Sequence, residues 1–232
     1  MNLLRVEHIS TGYGKRQVLF DISFEIKKGE TVLLIGSNGS GKSTLLKVIY
    51  GLLKPWDKDG KIWFNNEDIT AFKPSPLIRK GIVYIPQQNE LFEDLTVKEN
   101  LEISGMQTAK NIKPNGRIDE VTEQMPALKT LLKRKCNRLS GGERKLLSLS
   151  MALMNEPSLI MLDEPLAGIN PKGTSTIIHK LEILQGLGLS FILVEHRLKD
   201  VFKLADKTVG LRLGKLYNEN INSLENTKEV ML

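Results

Sequence analysis

The sequence predicts an α/β fold: a mostly parallel sheet covered by helices, with an antiparallel β subdomain and a helical subdomain. Three observations predict it. Val18, Phe20, Ile22, Phe24 and Ile26 alternate with Leu19, Asp21, Ser23, Glu25 and Lys27, the period of a strand with one buried face. Three short apolar runs, "TVLLI" (31–35), "SLIML" (158–162) and "FILV" (191–194), read as strands buried on both faces of a parallel sheet. Between residues 88 and 152 the strand signals fade and helical spacing takes over.

The elements follow in order. Gly12 to Gly14, and Asn65-Asn66 after "KIWF", punctuate turns, so the first third is expected to hold antiparallel strands and hairpins. After "TVLLI" comes a glycine loop, then Leu45, Leu46, Ile49, Leu52 and Leu53 at helical spacing. Thr96-x-x-Glu99 ahead of Leu101 is a capping-box pattern. Val121–Leu132 and Glu143–Met154 carry apolar residues at helical intervals, the first broken by Pro126. "QTAKNIKPNGR" (107–117) reads as a surface loop. Asn170 and Pro171 suit an N-cap followed by Pro at the first helical position, and Ile177, Ile178, Leu181, Leu184 and Leu187 continue that helix. The expected organisation is one domain over residues 1–232. Its core and antiparallel layer lie at about 1–87 and 153–217, its helical subdomain at about 88–152, and a short polar tail at 218–232.

At 41% hydrophobic and 26% charged residues, the chain has the composition of a soluble globular protein rather than a disordered one. No apolar run approaches the roughly 18 residues of a membrane span, and "MNLLRVEHIS" lacks the charged start and long apolar middle of a signal peptide. A cytoplasmic protein is expected. The single Cys136 forms no internal disulfide, which suits a reducing compartment. One Cys and three scattered His do not suggest a metal site. The net charge of +6 suits an acidic partner of any kind, whether nucleotide, nucleic acid or anionic membrane. The dense basic stretch Lys129–Lys145 lacks interleaved aromatics for stacking bases, and a solvated helix face explains it as well.

"GSNGSGKST" (36–44) fits Gly-x4-Gly-Lys-[Ser/Thr] at Gly36, Gly41, Lys42 and Ser43. Chance supplies that pattern in a chain of this length on the order of once per hundred sequences, and here it joins an apolar strand to a helix. The backbone of Gly36, Ser37, Asn38, Gly39, Ser40 and Gly41 can wrap phosphates, and the helix N-terminus favours negative charge. Lys42 reaches the β- and γ-phosphates and Ser43 can ligate Mg2+. The parallel sheet is then the core of a P-loop NTPase. "LIMLDEP" ends its apolar run at Asp163. Alone such acids merely begin loops, but beside a phosphate loop Asp163 reads as a metal-sphere residue and Glu164 as the general base.

Gln87 after "GIVYIP" and His196 after "FILVE" are residue types more often solvated or structural. Both stand at strand carboxyl ends, where ligands of such sheets bind; Gln87 could touch Mg2+ or the attacking water, and His196 the γ-phosphate. Tyr13 in "TGYGK" serves an adenine stack or an ordinary turn equally well. "LSGGERK" (139–145) offers Ser140 as a cap and Gly141 and Gly142 for close approach to an anion, yet a plain helix start explains all of it.

In their order, Tyr13, "GSNGSGKST", Gln87, "LSGGE", "LIMLDEP", "AGIN" and His196 resemble the ATP-binding cassette family over nearly the whole chain. The resemblance implies an ATPase using ATP and Mg2+, with Tyr13 on adenine, Thr44 on the α-phosphate, Gln87 in a lid that senses Mg2+ and water, and His196 on the γ-phosphate. It also implies a second cassette, identical or homologous, paired head to tail. Ser140 and Gly142 of one would then close on the γ-phosphate held by the other. Leu91, Phe92 and Leu95 look like the family's docking surface for transmembrane permease subunits; internal packing is the other reading of these residues. Glu143 stands where the family more usually has Gln, and Asn170 where many members have Asp. "AGINP", "VEH" and "MPAL" are similar to the ATPases of branched-chain amino-acid uptake systems.

What the resemblance implies is a cytoplasmic ATPase subunit, peripheral on the inner face of the cell membrane, that drives solute translocation through a permease and works with a separate solute-binding protein. The alternative is a soluble cassette acting on nucleic acid, the ribosome or a cofactor-assembly complex. Translation-linked relatives of that kind commonly carry two cassettes, and one is present here, so nucleic acid is not the expected partner. A third reading is a nucleotide switch with little turnover.

Overall fold

The computed structural model describes residues 1–88, 91–106 and 114–219. The chain opens with two long strands, β1 (Asn2–Tyr13) and β2 (Arg16–Lys27), followed by β3 (Thr31–Ile35), helix α1 (Lys42–Ile49), β4 (Lys61–Phe64), β5 (Glu67–Asp68), α2 (Pro74–Arg79) and β6 (Ile82–Ile85). Helices α3 (Val97–Gly105), α4 (Pro114–Gln124), α5 (Pro126–Lys129) and α6 (Gly141–Leu153) come next. Then follow β7 (Leu159–Asp163), α7 (Pro171–Gly186), β8 (Ser190–Val194), α8 (Leu198–Val201), β9 (Lys207–Arg212) and β10 (Lys215–Glu219). Among the described residues the strands form an antiparallel sheet in the order β2-β1-β4-β5 and a larger sheet in the order β10-β9-β3-β8-β7-β6. In the second sheet only β10 runs antiparallel to its neighbour. The expected fold class is borne out.

The three apolar runs form the middle of the parallel sheet because every residue of β3, β7 and β8 is buried. A strand with water on neither face must be apolar on both. Successive side chains point to opposite faces, so one strand feeds two cores. Leu33 and Ile35 join residues of α3, α4, α6 and α7, whereas Val32 and Leu34 join those of α1 and the antiparallel sheet.

Along β2 the expected alternation fails at Phe20, which is 36% exposed while Leu19 is fully buried. Opposed bulges cause the change of phase. The ladder pairs Thr11 with Leu19 but Ile9 with Ile22, so β2 holds an extra residue there; β1 holds one between Val6 and Ile9, which pair with Phe24 and Ile22. His8 and Asp21 take φ of 51° and 52°, values that non-glycine residues adopt only with local support. Support comes from each other, His8 Nδ1 lying 2.8 Å from Asp21 Oδ1, and from two serines: the N–H groups of His8 and Asp21 donate to the Ser23 and Ser10 hydroxyls at 2.9 and 3.1 Å.

Two helices end earlier than their apolar spacing predicts. Gly51, at φ 71°, turns the chain just after α1, and Leu52 is left exposed. Leu187 is likewise exposed after α7, ahead of Gly188 at φ 87°. Glycine supplies that left-handed step at helix ends without a Cβ penalty. The capping box of Thr96 and Glu99 is formed, and Pro126 separates α4 from α5.

Of the expected surface loop at 107–117, residues 107–113 lie outside the described residues and 114–117 already belong to α4. Arg117 fastens that helix by donating to the Leu153 carbonyl at 2.7 Å. The expected tail begins within β10, and residues 220–232 lie outside the described residues. The basic stretch 129–145 is not one helix face: it spans the end of α5, a 3-10 turn at Cys136–Arg138 and the start of α6. Arg144 is held in it by Glu93 at 2.5 Å and by the Cys136 carbonyl.

Candidate active site

The phosphate loop joins β3 to α1, and two of its glycines, Gly36 and Gly41, sit where side chains do not fit. A Cβ on Gly36, at φ 154°, would lie 2.2 Å from the Leu211 carbonyl oxygen, and one on Gly41, at φ 107°, would lie 2.6 Å from Leu19 Cδ2. The bulge that buries Leu19 thus also sets the floor beneath the loop. Lys42 folds back, donating from Nζ to the Gly36 and Ser37 carbonyls at 2.7 and 3.0 Å. Burial lowers its pKa, while Glu164 and Asp163 act in the opposite direction.

Asn38, Gly39, Gly41, Lys42, Ser43 and Thr44 line a pocket of about 420 Å3 together with Tyr13, Glu164 and His196. Gly36, Ser37 and Ser40 are not part of this lining, and the Ser40 hydroxyl is buried without a hydrogen-bond partner. Tyr13 is half-exposed at the pocket, its hydroxyl 3.5 Å from Thr44 Oγ1 and Lys47 Nζ 5.9 Å from its ring centroid. Sequence reasoning passes over two further lining residues, Arg16 and Val18. Their signal is position: Arg16 pairs with Tyr13 across the first hairpin.

At the end of β7, Asp163 is buried and uses its two oxygens separately. Oδ1 accepts from Ser43 Oγ at 3.1 Å and Oδ2 from the Tyr84 hydroxyl at 3.1 Å. Tyr84, on β6, is also absent from the sequence reading; burial and then the Asp163 charge push its pKa up, keeping the phenol a donor. A hydroxyl and a carboxylate oxygen are hard donors of the kind Mg2+ prefers. Among the described residues no group of three or more His, Cys, Asp or Glu could hold a metal ion; Ser43 Oγ and Asp163 Oδ1 are the oxygens this site would offer one.

Glu164 follows with φ of 52° and an N–H that donates to the Val194 carbonyl at 2.8 Å. Such a conformation costs roughly 1–3 kcal/mol and persists where the surroundings dictate it. Its carboxylate lies between two other expected site residues: Gln87 Nε2 donates to Oε2 at 2.6 Å, and His196 Nε2 lies 3.1 Å from Oε1.

Ser140 caps α6, but its donors are taken by Glu143. That carboxylate accepts from the Ser140 N–H at 2.7 Å and from the Ser140 hydroxyl at 2.9 Å, completing a capping box. Gly141 faces a second cavity of about 450 Å3, lined also by Gln87, Arg144 and Gly168. The packing is close: a Cβ on Gly141 would lie 3.0 Å from the Gly168 carbonyl oxygen, and one on Gly142 3.3 Å from Gly173 Cα. The structure therefore gathers Tyr13, the phosphate loop, Asp163, Glu164, His196 and Gln87 in one place. It sets Ser140, Gly141 and Gly142 apart, with Gln87 reaching both places. Asn170 caps α7, accepting from the Gly173 N–H at 2.8 Å, with Pro171 at the first position. Near the second cavity Phe92 is exposed, whereas Leu91 packs partly against the helical core and Leu95 is half-buried.

Comparison with known proteins leads in one direction. The sequence profile described as ABC transporter matches residues 19–167. The chain is 38% identical to the high-affinity branched-chain amino acid transport ATP-binding protein BraG of Pseudomonas aeruginosa, over 92% of this chain and 91% of that protein. It is 36% identical to a probable branched-chain amino acid transport ATP-binding protein, LivF, of Archaeoglobus fulgidus, over 96% and 94%. Among solved structures it is similar to an ATP-binding cassette of an ABC transporter in its ADP conformation, with a TM-score of 0.85, 34% identity and coverage of 100% and 95%. A dimeric ATP-binding cassette bound to ADP and Pi gives a TM-score of 0.81 at 25% identity, covering 94% and 97%.

Proposed function

The chain belongs to the ABC transporter family as one of its ATPase cassettes, and from that membership we propose that it hydrolyses Mg-ATP to drive a membrane permease carrying branched-chain amino acids. The observation that carries the catalytic reading is the Glu164 carboxylate held between Gln87 and His196 at the rim of the phosphate-loop pocket. Water placed against Glu164 gives up a proton to the carboxylate as its oxygen attacks the γ-phosphorus. The bond from phosphorus to the bridging oxygen breaks, and ADP leaves with the electron pair.

Lys42 and the loop N–H groups hold the β- and γ-phosphates, His196 contacts the γ-phosphate, and Gln87 fixes the second oxygen of the base. Ser43 and Asp163 would hold Mg2+, which supplies charge neutralisation at the phosphate oxygens. Tyr13 offers its ring to adenine, and Thr44 its hydroxyl to the α-phosphate.

The separation of Ser140, Gly141 and Gly142 from the phosphate loop supports their use by a second cassette, whose γ-phosphate they would close upon. The exposed Phe92, beside Leu91 and Leu95, is our docking site for the permease, which would hold the chain at the inner face of the membrane. No helix among the described residues is long and apolar enough to cross a membrane. A separate solute-binding protein completes the system we propose. Relatives that are transport ATP-binding proteins favour this reading over a soluble cassette on nucleic acid.

The test is transport of radiolabelled leucine in a host lacking the gene. The unsubstituted chain should restore it and Glu164→Gln should not. Normal leucine transport without the gene, with RNA recovered alongside the purified chain, would favour the soluble reading.

A further inference from the structure

Glu195, directly before His196, is 3% exposed, and a buried carboxylate needs partners for both its oxygens. Its partners are three backbone N–H groups. Oε1 accepts from Leu166 at 2.7 Å, and Oε2 from His196 at 2.9 Å and Arg197 at 3.2 Å. Leu166 follows Glu164 and Pro165 on the loop that runs through Gly168 to the Asn170 cap of α7. One carboxylate therefore spans the two loops that carry the hydrolytic pair.

Arg197 repeats the connection farther out. Its Nη1 donates to Thr174 Oγ1 at 2.9 Å, that hydroxyl donates to the Asn170 carbonyl at 3.1 Å, and Nε pairs with Asp200 at 2.9 Å. Thr174 is buried too. Charge-assisted bonds to backbone N–H groups are the strong ones, and here they fix main chain on both sides.

We propose that Glu195 is a positioning residue for hydrolysis, locking the His196 loop to the Glu164–Asn170 loop so that base, γ-phosphate contact and the Gly168 wall of the second cavity are presented as one piece. It does not touch the nucleotide; it acts through the backbone of residues that do. The inference rests on Glu164 and His196 serving the same γ-phosphate.

Glu195→Gln keeps the volume but turns an NH2 toward N–H donors on one side, so one loop is released. A misplacement of about 1 Å can cost about a hundredfold in rate, so kcat should fall by at least about tenfold. ATP affinity, set at the phosphate loop and read by titrating a fluorescent ATP analogue, should stay within about twofold. Thr174→Val breaks only the outer tie and should lower kcat by a smaller factor at unchanged affinity; it carries the test if the buried amide prevents folding. Unchanged kcat in the variants that fold overturns the inference, and so does a parallel loss of kcat and ATP affinity. The unsubstituted chain and Glu164→Gln are the controls: turnover in the first and none in the second sustains the catalytic reading, and any failure of Glu195→Gln to respond then falls on the inference alone. An unsubstituted chain without turnover overturns both.

Discussion

Replacing Glu164 by Gln removes a proton acceptor and little else. The carboxylate accepts from Gln87 at 2.6 Å through one oxygen and meets His196 Nε2 at 3.1 Å through the other. A carboxamide in the same place turns its oxygen to Gln87 and its NH2 to the imidazole nitrogen, so both contacts survive when His196 carries its proton on Nδ1. What is lost is the proposed general base, worth about 10²–10⁴ in rate, or about 3–5 kcal/mol on the barrier at about 1.36 kcal/mol per decade. Phosphate release at saturating Mg-ATP should fall by at least about a hundredfold, with nucleotide affinity unchanged because Lys42 and the loop are untouched. Light scattering on the same protein reads the second consequence: with hydrolysis blocked, ATP should double the mass, and ADP should not. Turnover within about threefold of the unsubstituted chain would refute the base assignment, since that residual is too large for a lost base.

Glu143→Gln should leave stability within about 0.5 kcal/mol, because Gln also completes a capping box. It should tighten ATP-driven association in the Glu164→Gln background about two- to fivefold, the equivalent of the roughly 0.3–1 kcal/mol that a charge contributes at a helix N-terminus; unchanged association by light scattering would refute it. The hydrogen bond and charge of Asp21, with smaller help from Glu7 and Asp59, raise the His8 pKa above its ordinary 6.5. A raised folded-state value stabilises fully below 6.5 and is lost as pH rises through that raised value. The Tm difference between the unsubstituted chain and Asp21→Asn should therefore shrink from acid to alkaline pH, and a pH-independent difference would count against the pair. Cys136 is fully buried, and burial pushes its thiol pKa up. A thiol reagent such as dithionitrobenzoate should label it only after denaturation, and rapid native labelling would contradict the packing.

The parts of the fold legible in the sequence are those where one physical cause acts alone. "TVLLI" must be apolar because β3 has no solvent face, and Thr96 with Glu99 states a cap in four residues. The alternation misplaces Phe20 because the bulges at His8 and Asp21 depend on opposition between two strands, which no single strand displays. Leu52 and Leu187 continue an apolar spacing past the points where Gly51 and Gly188 turn the backbone. At the candidate site, Tyr13, the phosphate loop, Gln87, Asp163, Glu164 and His196 are legible and are found together, whereas Ser140, Gly141 and Gly142 are legible but lie apart. Tyr84 and Glu195 are not legible, because a tyrosine within a strand and an acid at its end look ordinary until the neighbours they bond, Asp163 and Leu166, are brought beside them by the sheet.

The two cores on either side of the parallel sheet make the molecule separable by design. Helices α3, α4 and α6 pack into one core, while α1 and the antiparallel strands that floor the phosphate loop pack into the other. Strands buried on both faces stand between the helical layer and the floor of the phosphate loop, while Leu166, on the Glu164 loop, packs with the helical layer. A layer grafted from a relative would therefore leave the floor of the phosphate loop intact, provided Leu166 and the contact between Gly141 and Gly168 are kept with it.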